Sequence, residues 1–101
     1  MPPTYRVNLT LESARHLEEI FDYVQQNSPQ NAPRVIERIL DAVFALETLP
    51  HRYKVVQNTS AVGETVRSMP VPPFLVRYHV NDNARVVTVL SVRHGARRPD
   101  R

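Results

Sequence analysis

The chain has no cysteine, no tryptophan and only two glycines among its 101 residues. Without cysteine it can have no disulfide, no thiolate metal site and no thiol nucleophile. So few glycines exclude a glycine-rich loop that cradles phosphate, and no Gly-x-Ser-x-Gly sequence marks a serine nucleophile. Lack of cysteine is compatible with a reducing compartment such as the cytoplasm.

Long apolar runs are also missing. No stretch approaches the roughly 18 apolar residues of a membrane-spanning helix, and residues 1–9 do not have the shape of a signal peptide. A composition of 42% hydrophobic and 23% charged residues is typical of a globular protein, and the length predicts one domain over residues 1–101. We therefore expect a soluble, cytoplasmic protein that does not contact a membrane.

The charged residues are unevenly distributed. Residues 1–51 carry four Arg and no Lys against seven acidic residues, a net charge of −3. Residues 52–101 carry nine Arg and Lys against three acidic residues, a net charge of +6. A basic C-terminal half attracts an acidic partner, either nucleic acid or protein.

The first half of the chain predicts one strand and two helices. Apolar residues alternate over 4–9, which indicates a strand, and then recur at three- and four-residue steps over about 11–26, which indicates a helix capped by Thr10. A second helix is expected to open with Ser28 as N-cap and Pro29 in its first position, and to end at Pro50. Pro33 is tolerated if the regular helix starts near it. The short connection predicts an antiparallel helix hairpin.

After Pro50 the apolar residues alternate. "KVV" indicates a short possible strand, and "ETVRSMPV", "PFLVRYHV" and "RVVTVLSV" indicate three longer ones. The turn sequence "NDNA" makes the last two an antiparallel hairpin, and the prolines at 70, 72 and 73 indicate a bend or bulge between strands. Alternation places Tyr78 in the core. In the last strand it sets Val86, Thr88, Leu90 and Val92 on one face, opposed to Val87, Val89, Ser91 and Arg93.

These elements predict an α+β fold of order β-α-α-β-β-β. The antiparallel helix hairpin packs on one face of a mainly antiparallel twisted sheet, and the other face stays free. That free face is expected to carry some of the basic strand residues, namely Arg67, Arg77, His79 and Arg93.

The chain ends in "RHGARRPDR", in which five of nine residues are arginine or histidine. Arginine suits phosphate and carboxylate recognition, and a histidine among arginines can act as a general acid or base in RNA cleavage. Composition alone favours the simpler interpretation, in which these are exposed strand residues followed by a frayed tail. The four histidines lack paired metal-ligand spacing, so we expect no metal and no other cofactor.

The order of elements and several segments resemble the RelE/ParE superfamily of toxins from bacterial type II toxin–antitoxin modules. The similar segments cover nearly the whole chain: "YRVNLTLESARHLEEIFDYV", "LETLP", "VRSMPV", "FLVRYHV" and "VVTVLSVRHGARRP". The resemblance implies a cognate antitoxin encoded beside the toxin. It implies contact with operator DNA only through that antitoxin. A disordered acidic segment that folds into a basic groove fits this partnership.

The superfamily divides by target, and the resemblance leaves two functions open. ParE-like members bind and block DNA gyrase, whereas RelE-like members cleave mRNA on the ribosome. The ending His94-Gly95 matches the ParE-like form. Lys54 is the only lysine, Leu75 stands where several RelE-like nucleases place a phosphate-binding arginine, and no tyrosine follows the last strand. Gyrase binding without chemistry of its own is therefore favoured, by analogy between folds.

The resemblance also implies which residues carry the function. If the chain is a nuclease, the catalytic candidates are Arg67, Arg93 and His94. The candidates for binding the target or the antitoxin are Lys54, Arg67, Arg77, His79, Arg93, His94, Arg97 and Arg98. A third possibility is a degenerate member that binds an antitoxin and poisons nothing.

Overall fold

The structure is a computed structural model that describes residues 4–95. Two helices and five strands follow one another in the order β1 (Arg6–Leu9), α1 (Leu11–Asn27), α2 (Ala32–Phe44), a short 3-10 helix (Ala45–Glu47), β2 (Lys54–Asn58), β3 (Glu64–Val71), β4 (Phe74–Asn81) and β5 (Val86–His94). The predicted binding residues Arg97 and Arg98 lie outside the described part of the chain.

The five strands form one sheet in the order β1-β5-β4-β3-β2. β1 runs parallel to β5, and the other neighbouring pairs are antiparallel. Both helices contribute to a core on one face of this sheet, which confirms the predicted α+β architecture. The short possible strand at "KVV" is β2, a complete edge strand, so four strands follow the helices rather than three.

The first helix begins where the sequence predicts. The hydroxyl of Thr10 accepts a hydrogen bond from the backbone N–H of Ser13 at 3.0 Å, which caps the free N–H groups of the first turn. Neither helix in the region 4–95 is long and apolar enough to cross a membrane.

The second helix starts near Pro33, as one of the two predicted openings allowed, and the opening at Ser28 and Pro29 and the end at Pro50 were wrong. Ser28 caps the C-terminus of α1, because its N–H donates to the carbonyl of Val24 at 2.7 Å. Residues 29–31 form a turn, and α2 begins at Ala32 with Pro33 in its first turn, where a missing N–H removes no helical hydrogen bond. Regular helix stops at Phe44, and the 3-10 helix follows before Pro50 is reached.

The core lies between the helix hairpin and one face of the sheet. Leu17 of α1 and Ile39 and Val43 of α2 pack against the strand residues Met69, Val71, Phe74, Val76, Tyr78, Val80, Val87, Val89 and Val92. Tyr78 is fully buried, as predicted. Phe44, the last residue of α2, is 47% exposed.

The alternation predicted for β5 fails at a β-bulge. Arg77 pairs with Ser91 and Tyr78 pairs with Val89, so Leu90 is an extra residue on β5. An extra residue reverses the facing of those after it. Val87, Val89 and Val92 are therefore buried together, in place of the predicted grouping.

Two of the three prolines change the chain direction between strands, as predicted. Val71 pairs with Phe74, so Pro72 and Pro73, joined by a cis peptide bond, connect β3 to β4 directly. Pro70 lies within β3, opposite Leu75. The turn formed by Pro72 and Pro73 lies at the same end of the sheet as the last residue of β5, His94, which pairs with Phe74.

Candidate functional site: a basic groove on the open face of the sheet

A row of polar side chains crosses the face of the sheet opposite the helices. Residues directly opposite each other on antiparallel strands project from the same face. Lys54 of β2 pairs with Ser68 of β3, Ser68 with Arg77 of β4, and Arg77 with Ser91 of β5. Four successive strands thus bring two cations and two hydroxyls into one line.

This row forms part of a groove of about 730 Å³. We call it the basic groove; its polar and charged lining is Arg52, Tyr53, Lys54, Ser68, Arg77, Ser91, Arg93 and His94, and its other lining is Val56, Pro70, Leu75 and Gly95. It contains four Lys and Arg side chains, and none of the described lining residues is Asp or Glu. A concave surface lined by one sign of charge concentrates anionic partners.

Leu75 gives the groove an apolar patch between its arginines. It is 38% exposed and pairs with Arg93, two residue pairs along the strands from the Arg77–Ser91 pair. An apolar side chain between two guanidinium groups suits a partner with both carboxylates and apolar side chains better than a bare phosphate chain.

His94 and Gly95 close one end of the groove. The ring of His94 packs edge-on against Phe74, with 5.6 Å between the ring centroids. The N–H of Gly95 donates to the carbonyl of Pro73 at 2.7 Å, and a Cβ at Gly95 would lie 3.1 Å from that oxygen. Glycine therefore allows the end of β5 to approach the proline turn closely.

Arg67 is not part of the basic groove, contrary to its predicted place on the free face. It pairs with the fully buried Tyr78, so it projects toward the helix side of the sheet. Its Nη1 donates to the carbonyls of His51 at 3.1 Å and Tyr53 at 2.8 Å, and its Nε donates to the hydroxyl of Thr65 at 3.2 Å. The sequence "VRSMPV" already indicated this orientation, because Arg67 and Met69 are two residues apart on a strand and therefore lie on the same face.

His79 lies on the open face but outside the basic groove. Its Nε2 is 2.9 Å from Oε1 of Glu64, and Asn81 donates to the other oxygen of that carboxylate at 3.4 Å. The predicted group is therefore brought together only in part: Lys54, Arg77, Arg93 and His94 line one groove, whereas Arg67 and His79 have other surroundings.

The predicted site residues included neither Arg52 nor Tyr53, which both line the groove. The guanidinium carbon of Arg52 lies 5.6 Å from the ring centroid of Tyr53, within reach of a cation–π contact. The available signal was their position directly before Lys54, in a loop that leads into a strand.

A second groove, of about 630 Å³, runs between the helix hairpin and the proline turn. Ile20, Val24 and Val35 from the helices face Phe74 and Val92 from the sheet. Tyr23 stands at its rim with 61% exposure, and Arg38 donates to the carbonyl of Pro72 at 2.7 Å. Arg93 and His94 border both grooves, so the end of β5 separates two different surfaces.

In the described residues no group of three or more histidine, cysteine and acidic side chains is arranged to hold a metal ion. The basic groove therefore offers hydrogen-bond donors and positive charge to a partner. His94 is the one imidazole among its described lining residues.

The model of the family described as "ParE toxin of type II toxin-antitoxin system, parDE" matches residues 7–99. The chain belongs to the ParE toxin family. It is therefore a toxin of the type II toxin–antitoxin class, within the RelE/ParE superfamily that the sequence resembled.

Two curated relatives of this ParE-family chain are named as toxins. "Toxin RelE2" of Caulobacter vibrioides is 34% identical over 88 residues, which is 87% of this chain and 92% of the relative. "Putative toxin Y4kP" of Sinorhizobium fredii is 28% identical over 85 residues, 84% of this chain and 85% of the relative.

Solved structures share the fold. A structure titled "Chromosomal ParDE TA system from P. aeruginosa" has a TM-score of 0.71 at 18% identity, covering 90% of this chain and 96% of that one. The archaeal RelE–RelB complex from Pyrococcus horikoshii has a TM-score of 0.66 at 20% identity, covering 94% and 99%. At these identities the likeness establishes the fold and leaves the target open.

Proposed function

We propose that this ParE-family toxin inhibits growth in the cytoplasm by binding DNA gyrase, and that a cognate antitoxin neutralises it. The observation that carries the proposal is the composition of the basic groove. It unites four cations without a carboxylate, whereas Arg67, a predicted catalytic residue of a nuclease, and His79, a predicted binding residue, lie elsewhere. Such a groove is better equipped to bind an acidic protein surface than to transfer protons.

The antitoxin part of the proposal has independent support. Among the structures that share the fold are a ParDE system and RelE–RelB and RelBE2 complexes, so their toxins are paired with antitoxins. Charge complementarity favours an acidic antitoxin segment for a groove of this kind, and operator DNA is then contacted only through the antitoxin.

A supercoiling assay tests the proposal directly. Purified toxin is titrated against DNA gyrase acting on relaxed plasmid, and wild-type toxin should block supercoiling. The double change Arg77→Glu with Arg93→Glu reverses two groove charges and should weaken inhibition by about tenfold or more. Normal supercoiling at saturating wild-type toxin would overturn gyrase as the target.

The matched control carries the same change of charge outside the groove. Arg15 on α1 and Arg34 on α2 are both exposed, and Arg15→Glu with Arg34→Glu should leave inhibition unchanged. Equal loss of inhibition in both double variants would indicate a general charge effect rather than a groove.

The runner-up is ribosome-dependent cleavage of mRNA. The row of Lys54, Ser68, Arg77 and Ser91 beside His94 can hold a phosphate, and one relative is named Toxin RelE2. Incubation of toxin with ribosomes and mRNA, followed by primer extension, separates the two functions. Toxin-dependent cuts together with normal supercoiling would make this second function the better one, and absence of both effects would indicate a toxin that only binds its antitoxin.

A further inference from the structure

The loop that leads into β2 is fixed by hydrogen bonds from side chains of the neighbouring strands. We call residues 50–53 the 50–53 loop. The hydroxyl of Tyr78 donates to the carbonyl of Pro50 at 2.7 Å, and Nη1 of Arg67 donates to the carbonyls of His51 and Tyr53 at 3.1 and 2.8 Å. Three of the four carbonyls in the loop thus accept hydrogen bonds from side chains of β3 and β4.

The side chain of His51 ties the same loop to a third part of the molecule. Its Nε2 lies 2.6 Å from Oδ1 of Asp82, in the turn between β4 and β5, and the hydroxyl of Tyr5 donates to that same oxygen at 2.7 Å. The rings of Tyr5 and His51 also meet edge-on, with centroids 5.8 Å apart. Surface loops are usually among the more mobile parts of a protein. So many hydrogen bonds on four residues therefore indicate that the conformation of this loop is important for function.

Two side chains of the 50–53 loop face the basic groove. Arg52 and Tyr53 both line the groove, with the guanidinium of Arg52 beside the ring of Tyr53, and Lys54 follows directly. The anchors occupy backbone carbonyls and the His51 ring, which leaves the Arg52 side chain exposed on the groove side.

We propose that the 50–53 loop is a preformed recognition element for the acidic segment of the cognate antitoxin. Arg52 and Tyr53 contact that segment, and Arg67 and Tyr78 are positioning residues that act through the loop without touching the partner. The proposal rests on the antitoxin part of the proposed function. An element held in its bound conformation binds more tightly, because less conformational entropy is lost on association.

An acidic peptide is favoured over nucleic acid by what surrounds Arg52. The groove has an apolar patch at Leu75, and Tyr53 already packs against Arg52, so the ring is not presented as a bare platform for stacked bases. Carboxylates interspersed with apolar side chains match both features.

Arg67 has a geometry that distinguishes positioning from direct contact. One guanidinium donates to two carbonyls of the loop and to the Thr65 hydroxyl. A lysine keeps the charge but has a single ammonium group, which cannot reproduce the planar fork of donors. Arg67→Lys should therefore fail to restore binding, whereas lysine in place of a residue that only supplies charge to the partner should restore much of it.

The test is calorimetric titration of purified toxin with its cognate antitoxin. Arg52→Ala and Arg67→Ala should each raise Kd by about tenfold, the scale of one lost charge-assisted contact. If Arg67 acts through Arg52, the double variant should bind no more than about twofold more weakly than the weaker single variant, because the two changes remove one shared interaction. Arg52→Lys should recover most of the affinity, Arg67→Lys should not, and Arg34→Ala should match wild type.

Two results would overturn the proposal. One is additive loss in the Arg52→Ala, Arg67→Ala double variant; the other is wild-type affinity in Arg67→Lys. Since Arg67→Ala can impair folding, Tyr78→Phe serves as a second, milder variant, because it removes only the hydroxyl that holds Pro50. It should weaken binding in the wild-type background and have no further effect beside Arg52→Ala.

A single-stranded RNA oligonucleotide is the competing probe. Arg52→Ala and Arg34→Ala should change its affinity equally, and a loss confined to RNA in Arg52→Ala would overturn the acidic peptide as the partner. Because gyrase takes no part in the titration, the titration tests the loop even if the supercoiling assay excludes gyrase as the target.

Discussion

Nδ1 of His16, on α1, accepts a hydrogen bond from the backbone N–H of Val92, on β5, at 3.1 Å. Val92 lies just beyond the bulge at Leu90, where the ladder between β4 and β5 is interrupted. A helix side chain thus supplies the acceptor for a strand N–H next to the bulge. The contact fixes the helix hairpin to the strand that ends in Arg93 and His94.

Replacing His16 with leucine is expected to destabilise the protein. The buried N–H of Val92 would lose its acceptor, which costs about 1–3 kcal/mol in free energy of unfolding. Urea denaturation followed by circular dichroism measures the change. Arg15→Ala, one residue away and exposed, should stay within about 0.5 kcal/mol of wild type.

The same contact predicts the tautomer of His16. Because Nδ1 accepts a hydrogen bond, the proton of the neutral ring resides on Nε2. The ¹⁵N chemical shifts of the imidazole at pH 8 report this, and a ring protonated on Nδ1 would contradict the contact.

The lowered pKa of Asp82 predicts that the folded protein loses stability in acid. Burial would raise the pKa of this carboxyl, but hydrogen bonds from Tyr5 and His51 and the charges of His51 and Arg67 outweigh it and lower the pKa below 3.8. Below pH 3.8 the unfolded chain binds a proton that the folded chain resists. The contribution of Asp82 is therefore present above pH 3.8 and lost as pH falls through the folded value.

Comparison of wild type with Asp82→Asn measures this contribution. Since the Asp82 side chain is 41% exposed, solvent screening limits the difference in free energy of unfolding to about 1 kcal/mol at neutral pH. The difference should shrink as urea unfolding curves are recorded at successively lower pH below 3.8. A difference that stays constant through the acid range would show that the carboxylate charge plays no part.

Tyr78 predicts a phenol that resists ionisation. Burial raises the pKa of Tyr78 to about 12, and the nearby charge of Arg67 only partly offsets it. Its stabilising contribution is complete below the ordinary value of 10.0 and declines as pH rises toward 12. The pKa of Tyr5 is also raised, chiefly by its hydrogen bond to Asp82. In ultraviolet titration the step of Tyr78 is therefore identified by its loss in Tyr78→Phe.

The Tyr78→Phe variant also tests the hydrogen bond to Pro50. Loss of the hydroxyl leaves a buried carbonyl without this donor and should cost about 1–2 kcal/mol in free energy of unfolding. If the late phenolate step persists in Tyr78→Phe, another tyrosine is responsible for it.

His79 is expected to be dispensable for toxicity. Its imidazole is paired with Glu64 and does not line the basic groove. His79→Gln should retain growth inhibition on induction and lose no more than about 1 kcal/mol of stability, the usual range for partly exposed pairs. His94→Gln is the informative comparison, because His94 borders the groove. Loss of toxicity in His79→Gln with an intact fold would show that His79 takes part in target binding after all.

Periodicity predicted the layers of the molecule but not which basic residues meet. The alternation of Phe74, Val76, Tyr78 and Val80 identified the buried face of β4, because a strand has a period of two wherever pairing is regular. The same rule failed beyond Leu90, since a bulge depends on the partner strand and leaves no mark in composition.

The start of α2 shows a similar limit. Ser28 and Pro29 form a good helix-opening sequence, but Ser28 already serves α1, which extends to Asn27. Competition between two neighbouring helices for one capping residue is resolved by how the hairpin packs, and local preference cannot decide it.

By itself, the sequence determined the two-layer α+β fold, the absence of thiol chemistry, the concentration of positive charge in the C-terminal half and the toxin superfamily. These follow from composition, period and order, which are properties of the chain. Only the tertiary structure decided that Glu64 is the hydrogen-bond partner of His79 and that Arg52 and Tyr53 line the groove. Strand register and loop anchoring set those relations, and both depend on contacts between residues far apart in the chain.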